Sequence, residues 1–164
     1  MTVIVDTCVF FAFYSIRDRY HLDALGLVAH LVEGRWGRAY ITCHILDETL
    51  NILKYRLSPE TARAFMETFI DGGVVEILYL DKGVEDKALR IFRENIFRRG
   101  FSYTDAVTVA TIDEYGIGYL LTFDVRSFSG LVDNIIGVGY WSSLAEDEKN
   151  RILKLVREVL GSDY

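Results

Sequence analysis

Hydrophobic positions along the chain alternate between short continuous runs and stretches with helical spacing. Thr2-Val-Ile-Val5 is apolar almost throughout, which predicts a strand buried on both faces. Val9-Phe-Phe-Ala-Phe-Tyr14 is unusually aromatic, and core packing accounts for only some of it. The remainder suits an exposed patch that meets a partner. A helix is predicted over His21–Glu33, with Leu22, Leu25, Val28, Ala29 and Val32 on one side and Gly34-Arg-Trp-Gly37 breaking it. Arg38–Ile41 reads as a second strand.

Thr42 can cap a helix that runs to about Leu57, with Leu46, Leu50, Leu53 and Leu57 at helical spacing. In that helix Glu48 lies beside Ile45 and Ile52, at the edge of the apolar side. Asp47 falls with Asn51 and Lys54 on the wet side. Ser58-Pro59 is the clearest helix start in the chain, a capping serine followed by the only proline. This helix ends at Gly72-Gly73. Val74–Leu80 predicts a third strand, and Lys82–Arg99 a helix with Val84, Ala88, Ile91, Phe92 and Ile96 inward.

Ser102 to Phe128 organises the rest. Ser102 or Thr104 can cap a helix whose apolar side holds Val107, Val109, Ala110 and Ile112. Gly116 and Gly118 end it, and Tyr119–Phe123 is a buried strand. A helix of about 12 residues spans roughly 18 Å. A return strand of about 6 residues spans roughly 20 Å. The chain therefore goes out along the helix and back along the strand, so Asp124 ends near Asp105. Ile135–Trp141 reads as an edge strand. Ser143–Leu160 is a charged amphipathic helix with Leu144, Ile152, Leu155, Val156 and Leu160 apolar. Strands alternating with helices predict a three-layer α/β/α domain around a mainly parallel sheet.

Composition narrows the function classes. The 164 residues are 51% hydrophobic, enough for one domain with a real core and too apolar for disorder. No apolar run approaches the roughly 20 residues needed to span a membrane. The N-terminus lacks the charged region and cleavage site of a signal peptide, so the cytoplasm is the default compartment. Cys8 and Cys43 form no C-x-x-C pair and read as buried free thiols; His21, His30 and His44 lack zinc-like spacing. A net charge of −6 argues against gripping nucleic acid with the whole surface. It leaves room for local contact near a metal, which would cancel site carboxylates.

Candidate chemistry then falls on acids at one edge. Asp6 and Asp124 each follow a strand, Asp105 starts a helix, and Glu48 lies about one and a half turns into another. In a parallel sheet these positions share the carboxyl edge, where α/β folds place their sites. Each acid has an ordinary structural role when taken alone. Asp6 can cap a helix, Asp105 can close a capping box with Ser102, Asp124 can make a turn, and Glu48 can be a solvated helix glutamate. All four at one edge are harder to explain that way. Four acids without a nearby histidine or cysteine ligand form an all-oxygen site suited to Mg²⁺ or Mn²⁺, the ions of phosphoryl chemistry. Arg98 and Arg99 directly precede the Asp105 helix, where they could complement a helix dipole or contact phosphate.

Four pieces in this order resemble a PIN domain: Val3-Ile-Val-Asp6-Thr7, Thr42…Ile45-Leu46-x-Glu48…Leu50…Leu53, Ser102-x-Thr104-Asp105-Ala106…Ala110, and Leu120-Leu-Thr122-x-Asp124. They span about the first 128 residues. The resemblance implies a small α/β/α sandwich with metal-dependent endoribonuclease activity, Asp6, Glu48, Asp105 and Asp124 being the metal ligands. It implies that Thr7 and Thr104 hydrogen-bond around them. Thr7, Thr104, Arg98, Arg99 and Arg126 are the candidate substrate-binding residues, the arginines for their place in the sequence beside Asp105 and Asp124. Many stand-alone members are VapC-type toxins, held by an antitoxin peptide and often homodimeric. Phe128 comes four residues after Asp124, where members often have three, which implies a longer loop. On this reading residues 1–142 are the PIN-like nuclease domain. Residues 143–164 are a C-terminal helix packed on that domain or on a partner subunit.

Two other classes are weighed. A haloacid-dehalogenase-like phosphatase also begins with a strand and an aspartate, but it needs a second acid where Cys8 stands. A non-catalytic PIN-fold module binding RNA or protein would be free to lose the four acids.

Overall fold

The computed structural model describes residues 1–160, with side chains through Val156. Its centre is a five-stranded sheet: β1 (Thr2–Val5), β2 (Arg38–Thr42), β3 (Glu76–Leu78), β4 (Tyr119–Thr122) and β5 (Ile135–Gly137). The spatial order is β3-β2-β1-β4-β5, and every neighbouring pair is parallel. The order reverses direction at β1, between β2 and β4, where open parallel sheets form a crevice at the carboxyl edge.

Crossovers between parallel strands are right-handed. They place α1 (Thr7–Tyr14), α2 (His21–Val32), α3 (Cys43–Arg56) and α4 (Pro59–Phe65) on one face of the sheet. They place α5 (Lys82–Glu94) and α6 (Tyr103–Tyr115) on the other. Successive strand residues point to opposite faces, so the larger core takes in both: Val3, Ile4, Val5, Phe10, Ile45, Phe65 and Phe69 are fully buried in it, and Val109 of α6 joins them. Val84, Ala88, Val107 and Ala110 form a smaller cluster between α5 and α6. The aromatic segment in α1 divides its work: Phe10 packs edge-on against Phe65 and Phe69 at 4.9 and 5.0 Å, while Phe11 and Phe13 are half-buried.

Helix boundaries follow their caps. Thr42 accepts from Ile45 N, Ser58 from Thr61 N, and Ser102 from Asp105 N, while Gly116 takes the left-handed conformation at the end of α6. Several expectations need correction. The helix from Lys82 stops at Glu94, because Asn95 leaves helical geometry and its Nδ2 caps the Ile91 carbonyl at 2.9 Å. Ile96, expected inward, is therefore 52% exposed. In α2 the buried side runs through Ala24, Leu25, Leu27, Val28 and Leu31, leaving Leu22 and Val32 in solvent. The strand at Val74–Leu80 pairs only over Glu76–Leu78, and that at Ile135–Trp141 only over Ile135–Gly137.

After α7 (Val125–Phe128) and β5, Gly139 turns the chain into α8 (Tyr140–Ser143), and α9 spans Glu146–Leu160 rather than starting at Ser143. α9 packs on α2: Ile152 is fully buried, His30 Nε2 pairs with Glu148 at 2.7 Å, and Arg151 grips Glu33 at 2.6 Å. His30, Glu33 and Glu148 lie close enough together to share a cation, but Arg151 already bridges both carboxylates. Hydrogen bonds from Arg151 and His30 hold Glu148 down to about 2. The Leu160 side chain and residues 161–164 lie outside the described residues.

Candidate active site

The register of β1 against β4 builds the site. Val5 stands opposite Leu121, so Asp6 leaves β1 beside Thr122 at the end of β4. Asp6 N donates to Leu121 O at 2.9 Å. Thr122 Oγ1 donates to Asp6 Oδ2 at 2.6 Å, and Cys8 Sγ reaches the same oxygen at 3.1 Å. Cys8 Sγ in turn accepts from Phe123 N at 3.2 Å. Asp6 is 8% exposed, with its carboxylate fixed by Thr122 at the end of β4 and Cys8 at the start of α1.

Each other acid is held by its own element. Glu48 reaches the rim from α3, where it accepts from Thr7 Oγ1 at 3.1 Å; Thr49 Oγ1 donates to Thr7 at 3.2 Å from behind. Asp105 closes a capping box with Ser102, accepting from Ser102 N at 2.6 Å. Asp124 caps α7, accepting from Ser127 N at 3.2 Å and Ser127 Oγ at 2.6 Å. The capping and turn roles expected of Asp105 and Asp124 are thus real, whereas Asp6, which precedes α1, makes no side-chain cap bond to it. Asp6, Glu48, Asp105 and Asp124 line a single cavity of about 250 Å³, together with Thr7, Cys8, Phe11, Ile52, Gly100 and Ser102.

No basic side chain lines this cavity among the described residues. Burial raises the Asp6 carboxyl above its ordinary range, and the Asp124 charge adds to the rise. Burial and the charge of Asp6 raise Glu48 likewise. Burial, with the charges of Asp6 and Asp124, pushes Asp105 up to about 6. Burial also raises the Cys8 thiol well above its usual value, which keeps it protonated and a donor. A cluster of oxygen donors, each made harder to ionise by the next, is the donor set that a hard divalent cation suits.

This electrostatic debt has a measurable consequence. Carboxyls with raised folded-state pKa values stabilise the fold fully only below their unfolded values, and that contribution is lost as pH rises through the folded values, here to about 6 for Asp105. The metal-free protein is therefore expected to melt lower at pH 7.5 than at pH 5. Asp105→Asn should flatten that slope. Saturating Mn²⁺ should restore the loss at pH 7.5, by about 2.7 kcal/mol at a hundredfold excess over Kd. Thermal scans in EDTA and in Mn²⁺ at both pH values check this. A wild-type slope matched by Asp105→Asn, with no Mn²⁺ response, would refute it.

The other residues expected at the site are placed differently. Thr104 lies on α6 with its carbonyl taken by Thr108 Oγ1 at 2.9 Å, and it does not line the cavity. Arg98, Arg99 and Arg126 line a separate cleft of about 570 Å³ with Val125 and Ser129. Arg98 Nη2 donates to the carbonyls of Arg126 and Ser129, so that arginine ties the turn after α5 to α7. Thr122, Ser127, Thr49 and Cys8 support the acids and were not singled out from sequence. A serine three residues after Asp124 is the available signal for Ser127. Nothing local marks Thr49 or Cys8.

Fold and site together define a three-layer α/β/α domain whose reversal of strand order carries a four-carboxylate cavity. The PIN domain family model matches residues 3–131, and the chain belongs to that family. It is 45% identical over 158 residues to a VapC ribonuclease of Archaeoglobus fulgidus, covering 96% of this chain and 97% of that protein. Among solved structures, the sarcin-ricin-loop-cleaving toxin VapC20 of Mycobacterium tuberculosis superposes with a TM-score of 0.65 at 24% identity, over 79% of this chain and 96% of that one. FitAcB of Neisseria gonorrhoeae gives 0.62 at 14% identity, over 87% and 99%. These structural likenesses show the same fold.

Proposed function

We propose that the protein is a metal-dependent endoribonuclease of the VapC type, acting as the toxin of a toxin–antitoxin pair. The observation that carries this is the convergence of Asp6, Glu48, Asp105 and Asp124 on one cavity free of basic side chains. The near full-length identity to a VapC ribonuclease supports RNA as the substrate. It also supports an antitoxin protein as partner. The family resemblance supports a homodimer, and the cytoplasm is the compartment we infer; no helix among the described residues is long and apolar enough to cross a membrane.

The four carboxylates would hold Mg²⁺ or Mn²⁺, which when bound supplies positive charge for phosphate oxygens and acidifies water. The chain's own part is orientation. Thr122 and Cys8 fix Asp6, Thr7 fixes Glu48, the Ser102 cap fixes Asp105, and Ser127 fixes Asp124. Carboxylates held rigidly in this way would fix such an ion where negative charge grows on a phosphodiester during attack by water. Water adds to phosphorus, the bond to one ribose oxygen breaks, and that oxygen leaves with a proton. Phe11 and Ile52 add apolar surface to the cavity wall.

The test is cleavage of a mixed structured RNA by the purified, antitoxin-free protein in Mn²⁺, with EDTA as control. Cutting that requires the metal is expected. No cutting by a metal-loaded sample across tRNA, rRNA and mRNA would overturn the nuclease reading in favour of a binding module.

A further inference from the structure

We propose that the arginine cleft beside the acidic cavity, with Phe97 in the turn that carries two of its arginines, holds an unpaired stretch of the RNA substrate. Arg99 and Arg126 take backbone phosphates, and Phe97 stacks on a base. The proposal rests on the ribonuclease reading and adds how that site selects its substrate.

Three observations carry it. First, cationic groups gather here on a chain of net charge −6. Arg98, Arg99 and Arg126 line one cleft with Val125, itself 42% exposed. Arg98 is engaged by the carbonyls of Arg126 and Ser129, which fixes the turn after α5 against α7. Arg99 and Arg126 are exposed, and no ion pair ties either among the described residues.

Second, the cleft adjoins the acids covalently. Arg99 is followed by Gly100, and Val125 preceded by Asp124; Gly100 and Asp124 line the acidic cavity. A strand with its scissile phosphate among the acids would run straight onto the arginines. Third, Phe97 is 98% exposed, in the same turn as Arg98 and Arg99. A phenylalanine that buries nothing in its own fold, next to unpaired cations, matches the way single strands are held: a basic track for phosphates and an aromatic face for bases. Duplex RNA would offer this ring no exposed base face.

The test is fluorescence anisotropy of a labelled 12-nucleotide unstructured RNA with the full chain in EDTA, so that binding is read without cleavage. Arg99→Ala and Arg126→Ala together should lower the slope of log affinity against log salt by about 1.4. Phe97→Ala should weaken binding about 5- to 100-fold. Binding of the matching duplex should not change with Phe97→Ala, and Arg63→Ala, far along the sequence on α4, should change neither. Unaltered single-strand affinity in both site variants, with Mn²⁺-dependent cleavage intact, would overturn the proposal and leave the nuclease standing. Absence of both binding and cleavage in the wild type would overturn the two together. Displacement of RNA by an acidic peptide, with Phe97→Ala silent, would assign the cleft to a protein partner and overturn the RNA proposal.

Discussion

Asp6→Asn is expected to lower RNA cleavage by about 10²–10³-fold or more, because losing a charged ligand weakens the hold on a cation whose charge stabilisation at phosphate is worth several kcal/mol. The fold should survive it. An asparagine oxygen can accept from Thr122 Oγ1 and Cys8 Sγ as the Asp6 carboxylate does, at positions now 2.6 and 3.1 Å away. The substitution removes one negative charge from a group that burial and Asp124 already make hard to ionise. In EDTA at neutral pH the variant should therefore melt no lower than wild type. Its answer to Mn²⁺ should be weaker, because one ligand is lost. Activity and the Mn²⁺-induced rise in melting temperature would be measured side by side. Retained cleavage with a normal Mn²⁺ response would remove Asp6 from the site. A large fall in melting temperature in EDTA would make its role structural.

How much of this was legible in the sequence depends on the range of the cause. The sheet was legible because each strand is a short apolar run that needs no partner to be seen. The edge position of Asp6 and Asp124 followed from chain direction alone. Glu48 could be preferred to Asp47 from a one-residue difference in helical phase, about 100°, and Asp47 indeed faces solvent, where it accepts from Asn51. Burial was legible only where periodicity was clean. In α2 almost every residue is apolar, so the pattern could not choose a side, and packing by α1 and α9 chose it. The end of α5 was missed because Ile96 and Phe97 continue an apolar spacing that tertiary structure does not use. Thr122 and Cys8 were not singled out because their role exists only once β4 lies beside β1 in one register.

Phe10→Ala should be the most damaging of the core changes considered, and it tests the link between core and site. Phe10 is fully buried and meets Phe65 and Phe69 edge-on. Truncation of such a ring costs about 3–5 kcal/mol. The domain's total stability is expected to be only about 5–15 kcal/mol. For a chain of this size each kcal/mol moves the midpoint by about 2–4 °C, so a fall of roughly 6–20 °C is expected by calorimetry. The damage should reach the site, because α1 carries Phe10 one turn after Thr7, whose hydroxyl holds Glu48. Weaker Mn²⁺ binding should therefore accompany the lower midpoint. Phe97→Ala is the matched contrast, with the same atoms removed from a ring 98% exposed, and its midpoint should stay within about 1 °C of wild type, as surface changes do. Equal midpoints for the two variants would mean that the Phe10–Phe65–Phe69 cluster does not hold α1 against α4.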